Sequence, residues 1–129
     1  MDVEQAKTFF KNDKFVDAVG VKIEKAEAGN AVCSLKIEDW HLNAAGAVQG
    51  GAIYTLADFT FAVAANCFDK ITVTLNNNIE YIKKATSGTL FAHSVLTKMS
   101  KKICFYKTDV TDDKGDMIAC LNTVGYISE

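Results

Sequence analysis

Residues 41–58 read HLNAAGAVQGGAIYTLAD and end on a carboxylate that its neighbours do not explain. Between Trp40 and Phe68, Asp58 is the only formally charged side chain. The residues on either side of it read as a buried helix. An unpaired buried charge is costly, and Asp is a poor helix former, so the position calls for a chemical reason. A carboxylate there can act as a general base or as a nucleophile. The same run opens on Gly50-Gly51. N–H groups in the first turn of a helix have no intrahelical partner and lie at the positive end of its dipole. The Gly51 N–H is therefore suited to receive an oxyanion, and glycine lets a reacting group approach the backbone closely.

Gly51 and Asp58 are seven residues apart, which is about 10 Å along a helix. They share a face but cannot both reach one carbonyl. Two such helices running antiparallel across a two-fold axis remove the difficulty. Gly51 of one subunit then meets Asp58 of the partner subunit. The expectation is a homodimer with two composite sites and an inactive monomer.

The elements that must position these residues follow from periodicity. Residues 2–11 suggest a short helix with Val3, Ala6, Phe9 and Phe10 on one side. From Val19 the period shortens, and Val21, Ile23, Val32, Leu35 and Ile37 mark two strands joined by a turn at 28–30. Residues 39–49 read as a loop rich in small residues. A helix apolar all round is expected to about Phe68, and such a helix must be buried nearly all round. Strand patterns follow at 71–82, 89–98, 103–111 and 117–127. The turn signal Asp112-Asp113-Lys114-Gly115 makes the last two an antiparallel hairpin. The order is α-β-β-α-β-β-β-β. One sheet around one long helix is an α+β arrangement, expected as a single domain over residues 1–129.

Composition narrows the function. The net charge is −2, and all fourteen basic residues are lysine, so there is neither the basic face of a nucleic-acid binder nor a guanidinium for bidentate anion recognition. The N-terminus lacks the apolar core of a signal peptide, and a carboxylate near the middle of residues 51–68 makes that run a poor membrane span. Cys33, Cys67, Cys104 and Cys120 have no metal or CxxC spacing. Reduced buried thiols in a cytoplasmic protein are expected, with no nucleic-acid or membrane partner. His41 and His93 lack a triad partner in the sequence; His41 is near enough to Asn43 to line a site entrance, and Tyr54 shares the face of Gly51 and Asp58.

Three stretches carry a resemblance. They are Asn43-x-x-Gly46-x-x-Gln49-Gly50-Gly51 followed by Asp58, then Val73-Thr74-Leu75-Asn76-Asn77-Asn78-Ile79-Glu80-Tyr81, and then Asp112-x-x-Gly115-x-x-Ile118-Ala119. With the element order they resemble the hotdog fold, and within it the PaaI-like (phenylacetate-pathway) acyl-CoA thioesterases, over residues 19–127. The resemblance implies an antiparallel sheet wrapped around one helix. It implies hydrolysis of a small, medium-chain or aromatic acyl-CoA to free acid and CoA, with Asp58 as base or nucleophile and Gly51 as oxyanion donor. It also implies a contact from Asn43 to the reacting group or its water, and a hydroxyl from Thr74 to hold that water. Gln49 stands where the family usually has His and keeps an amide donor. For the nucleotide end of CoA the candidates are Tyr81, Lys83 and Lys84, and Lys98, Ser100, Lys101 and Lys102. No metal or redox cofactor is implied, since CoA is part of the substrate, and the homodimer is expected to pair into a homotetramer. Two other readings stay open: a non-catalytic acyl-CoA or small-ligand binding protein on this scaffold, and an acyl-thioester hydratase or dehydratase. The second usually pairs a His with an acid and carries a Pro-rich loop, whereas this chain has no proline.

Overall fold

The computed structural model describes residues 1–128. In chain order the elements are α1 (Val3–Phe9), α2 (Lys14–Val19), β1 (Val21–Glu27), β2 (Asn30–Lys36), a 3-10 turn (Asp39–His41), α3 (Gly50–Ala65), β3 (Thr72–Tyr81), β4 (Thr89–Met99), β5 (Ile103–Thr111) and β6 (Met117–Ile127). The strands form one antiparallel sheet in the order β1-β2-β4-β5-β6-β3. α3 packs against all six. A sheet wrapped around a central helix is the α+β hotdog architecture that the sequence implies. No helix among the described residues is long and apolar enough to cross a membrane.

The alternation of β4 and β5 places Leu90, Ala92, Cys104, Tyr106 and Val110 against α3. Two hydroxyls share that inner face, and Thr108 Oγ1 donates to Ser94 Oγ at 2.9 Å, so neither is left unpaired. On α3, Leu56, Ala57, Phe61, Val63 and Ala64 are the matching buried side. Gly125 in β6 lets Phe61 seat. A Cβ at Gly125 would lie 2.7 Å from Cys104 Sγ and 3.1 Å from the Phe61 ring. Gly125→Ala is expected to destabilise the fold by about 1–3 kcal/mol through overpacking, measured by urea unfolding.

The structure corrects the sequence reading at four places. The N-terminal segment holds two helices rather than one. Asp13 caps α2 through Val16 N, and Gly20 ends it in the left-handed region at φ 99°. Six residues present too little of an apolar stripe for periodicity to register, although the Asp13 and Gly20 brackets were readable. The 39–49 loop begins with a 3-10 turn. α3 ends at Ala65, before Phe68, because the Asn66 side chain takes the Thr72 N–H at 2.9 Å and donates to the Ala62 and Thr72 carbonyls. That clasp turns the chain into β3. Finally, α3 is not buried all round. Gly51 and Tyr54 are exposed, and Thr55, Asp58 and Ala62 are half-buried, so one stripe of the helix is left open. Beside it, β3 is a sheet edge paired only to β6.

Candidate active site

The start of α3 leaves donors free. Gln49 is the N-cap residue, and its carbonyl accepts from Ala52 N and Ile53 N, but its side chain makes no cap bond. Among the described residues, the N–H groups of Gly50 and Gly51 have no acceptor. The two glycines differ in surroundings. A Cβ at Gly50 would come within 3.3 Å of the Tyr81 ring, whose hydroxyl donates to the Gly50 carbonyl at 3.1 Å. At Gly51 nothing lies within 4 Å. Gly50 therefore seats Tyr81, and Gly51 faces open space.

Two turns further on, Asp58 meets β3. Asn77 Nδ2 donates to Asp58 Oδ1 at 2.8 Å and to the Tyr54 hydroxyl at 2.8 Å. The buried Thr123 hydroxyl donates to Asn77 Oδ1 at 2.5 Å, which sets the amide's orientation. Thr74 Oγ1 stands 3.5 Å from Asp58 Oδ1, at the outer limit of a hydrogen bond. Among the described residues, Asp58 Oδ2 has no partner. The carboxylate is thus anchored through one oxygen and open through the other. The charge is half-exposed and hydrogen-bonded, so the burial cost that singled it out in the sequence is met by Asn77 and solvent.

Asn77 is the main site residue that the sequence reading did not assign. Asn is depleted in strands, so three in succession at 76–78 were the available signal. Asn77→Ala removes a hydrogen bond to a charged group, worth about 1.5–3 kcal/mol. Turnover is expected to fall about ten- to hundredfold with little change in KM, read by steady-state kinetics.

The other sequence candidates fall in several places. Asn43 Oδ1 accepts from Ala45 N and Ala47 N, which holds the 43–47 loop, and its Nδ2 has no partner among the described residues. His41 is buried with both ring nitrogens engaged: Nδ1 accepts from Glu38 N at 2.9 Å, and Nε2 lies 2.7 Å from the Val19 carbonyl. His93 sits on the outer face of the sheet and pairs with Asn30 Oδ1. Tyr81 ends β3 beside Gly50, and Lys83 and Lys84 follow the strand. Lys83 Nζ is tied to Asp116 at 2.6 Å, and that bond raises its pKa. Lys98, Ser100, Lys101 and Lys102 lie at the β4–β5 hairpin, where Ser100 Oγ closes the turn onto Ile103. Within one chain the two lysine groups are far apart along α3: Tyr81 is at its first residue, and Lys101 borders a cavity with Ala65.

Two small cavities flank the open stripe. One, of about 180 Å³, is lined by Phe15, Val19, Trp40, Gln49, Gly51 and Thr55. The other, of about 260 Å³, is lined by Phe15, Val16, Tyr54, Asp58 and Phe59. Phe15 borders both and is 69% exposed. It sits on α2, the helix missing from the sequence reading, and for that reason was not singled out. No group of three His, Cys, Asp or Glu among the described residues could hold a metal ion, and the four cysteines are free thiols.

A family model described as the thioesterase superfamily matches residues 45–119, which include Gln49, Gly51, Asp58, Thr74 and Asn77. The chain is 32% identical to a putative esterase of Archaeoglobus fulgidus over 91% of its length and 77% of that protein's. It is 30% identical to human acyl-coenzyme A thioesterase 13, covering 90% of this chain and 86% of that one. In structure it is similar to the PaaI protein of the Escherichia coli phenylacetic acid degradation operon. The TM-score is 0.93 at 23% identity, over 98% of this chain and 92% of that one.

Proposed function

This chain belongs to the thioesterase superfamily, and from that premise we propose that it hydrolyses an acyl-CoA to free acid and CoA in composite sites across a homodimer. The observation that carries the reading is the Asp58 carboxylate. One of its oxygens is held by Asn77 and the other is free, on an open stripe that begins at unpartnered glycine N–H groups. Relatives covering most of the chain bear the name acyl-coenzyme A thioesterase, which supplies the substrate class.

In this mechanism Asp58 Oδ2 takes a proton from water as the water attacks the thioester carbon, or attacks that carbon itself to form a mixed anhydride that water then hydrolyses to the free acid. The Gly51 N–H of the partner subunit receives the oxyanion, where a preorganised donor is most effective. Collapse breaks the C–S bond, and CoA leaves as the thiolate. The Gln49 amide and Asn43 Nδ2 supply further donors, and Thr74 Oγ1 holds water beside Asp58. The dimer is supported by what the single chain leaves bare. β3 is an edge strand paired only to β6, with Val73 and Leu75 exposed and Ile71 exposed just before it, and such an edge invites pairing. The open stripe of α3 lies next to it. The phosphates of CoA would be met by Lys84, with Tyr81 near it, and at the other lysine group by Lys98 and Lys102, none of which has a carboxylate partner among the described residues.

Release of free thiol from a panel of acyl-CoAs tests the proposal. Turnover of at least one acyl-CoA is expected, whereas saturable binding without turnover would make the protein a binding module. The panel also tests Phe15. Phe15→Ala opens both small cavities and is expected to shift kcat/KM by about tenfold or more toward the bulkier acyl groups.

A further inference from the structure

Beyond the C-terminal end of α3 lies a third cavity of about 330 Å³, which shares no lining residue with the two beside Gly51 and Asp58. Its floor is formed by Ala65, Thr72, Cys104, Tyr106 and Ile127, all buried. Its rim carries Asp69, Lys70, Met99, Ser100 and Lys101, all exposed. Two floor residues end in hydroxyls, Tyr106 at 3% exposure and Thr72 at 7%. Among the described residues neither hydroxyl has a hydrogen-bond partner, although the rest of the buried hydroxyl set does: Ser34, Thr60, Ser94, Thr108 and Thr123 are all paired. Neither the Tyr106 nor the Thr72 oxygen is sealed in the core: among the described residues the buried unpaired side-chain oxygen is Asp109 Oδ1, so both hydroxyls reach solvent and are free to meet a ligand. Burial of the rest of the side chain raises the Tyr106 pKa and keeps it a donor. At the rim, Lys70 and Lys101 have no carboxylate partner among the described residues, and they outnumber Asp69.

We propose that this cavity binds a small organic acid with an apolar body, its carboxylate at Lys70 and Lys101 and a neutral oxygen acceptor, a ketone or hydroxyl, on the Tyr106 and Thr72 hydroxyls. The orientation follows from desolvation. A carboxylate is costly to bury against neutral donors, while a carbonyl is not once it is hydrogen-bonded. The ionised end therefore stays at the wet, cationic rim, and the neutral oxygen goes to the floor. The volume lies at the lower end of the range for small-molecule sites, which fits a short oxo acid.

The test is titration of 6-oxoheptanoate and heptanoate into protein labelled at its methionine methyl groups, followed by NMR. Met99 is on the rim, and Met117 begins β6 at the other end of the sheet. The oxo acid should shift the Met99 methyl saturably, leave Met117 in place and bind about tenfold more tightly than heptanoate, the difference one hydrogen bond makes. Tyr106→Phe should abolish that preference while heptanoate binding persists, and Lys101→Glu should weaken both acids. No Met99 shift at millimolar acid, or an undiminished preference in Tyr106→Phe, would overturn the proposal. The readout needs no turnover, so it stands or falls separately from thioester hydrolysis.

Discussion

Asp58→Asn protein will fold as the wild type does and release CoA about 10²–10⁴-fold more slowly, the range for loss of a positioned general base. The substitution is nearly isosteric. The new side-chain oxygen can still accept from Asn77 Nδ2, so the Thr123–Asn77 chain has no reason to move. The proton acceptor is what disappears. Oδ2, the oxygen without a partner, becomes an amide nitrogen with no basicity. The loss should fall on kcat with KM little changed, because the group acts in the transition state rather than in holding the substrate. Steady-state kinetics beside a thermal melt separate chemistry from folding. Unchanged turnover would place the chemistry on another residue. Thr74→Val, which touches only the 3.5 Å contact, should cost far less.

The residues most legible in the sequence were those whose type conflicts with their surroundings. Asp58 in an apolar run and Gly50-Gly51 at its start were visible because neither suits a plain core helix. β4 and β5 were the most visible strands because one face is buried and their side chains alternate, whereas β3 lies largely exposed and shows no such alternation. What escaped depends on contacts between elements far apart in the chain. Asn77 reads as another strand polar residue until β3 lies beside α3 and its amide meets the carboxylate 19 residues away. Phe15 belongs to a helix too short to leave a periodic trace, yet it separates the two cavities at the site. Burial cost alone does not account for Asp58. The carboxylate sits on the stripe that the single chain leaves open, and a partner subunit, rather than the core, would enclose it. Tyr106 and Thr72 illustrate the same limit: nothing in a strand sequence says which buried residue's hydroxyl will lack a partner.

Mixed dimers give the second large effect. Gly51→Pro removes the N–H proposed to receive the oxyanion. It does so in the first helical turn, where proline is tolerated and where a Cβ meets nothing within 4 Å. Alone, Gly51→Pro and Asp58→Asn should each be nearly inactive. Each site of the proposed dimer takes Gly51 from one subunit and Asp58 from the partner subunit. A mixed dimer therefore carries one site with both lesions and one with neither. Random pairing of equal amounts makes half the dimers mixed, so about one quarter of wild-type activity should return on co-refolding. Titrating the ratio of the two chains at fixed total concentration should give a maximum at equality. If Gly51 and Asp58 served a site within one chain, every site in the mixture would keep a lesion and no activity would return. Recovery of activity is something a fold defect cannot imitate, so the experiment separates a shared site from a damaged protein. It also asks directly whether about 10 Å of helix, too long for one carbonyl, is bridged by a second copy of the chain.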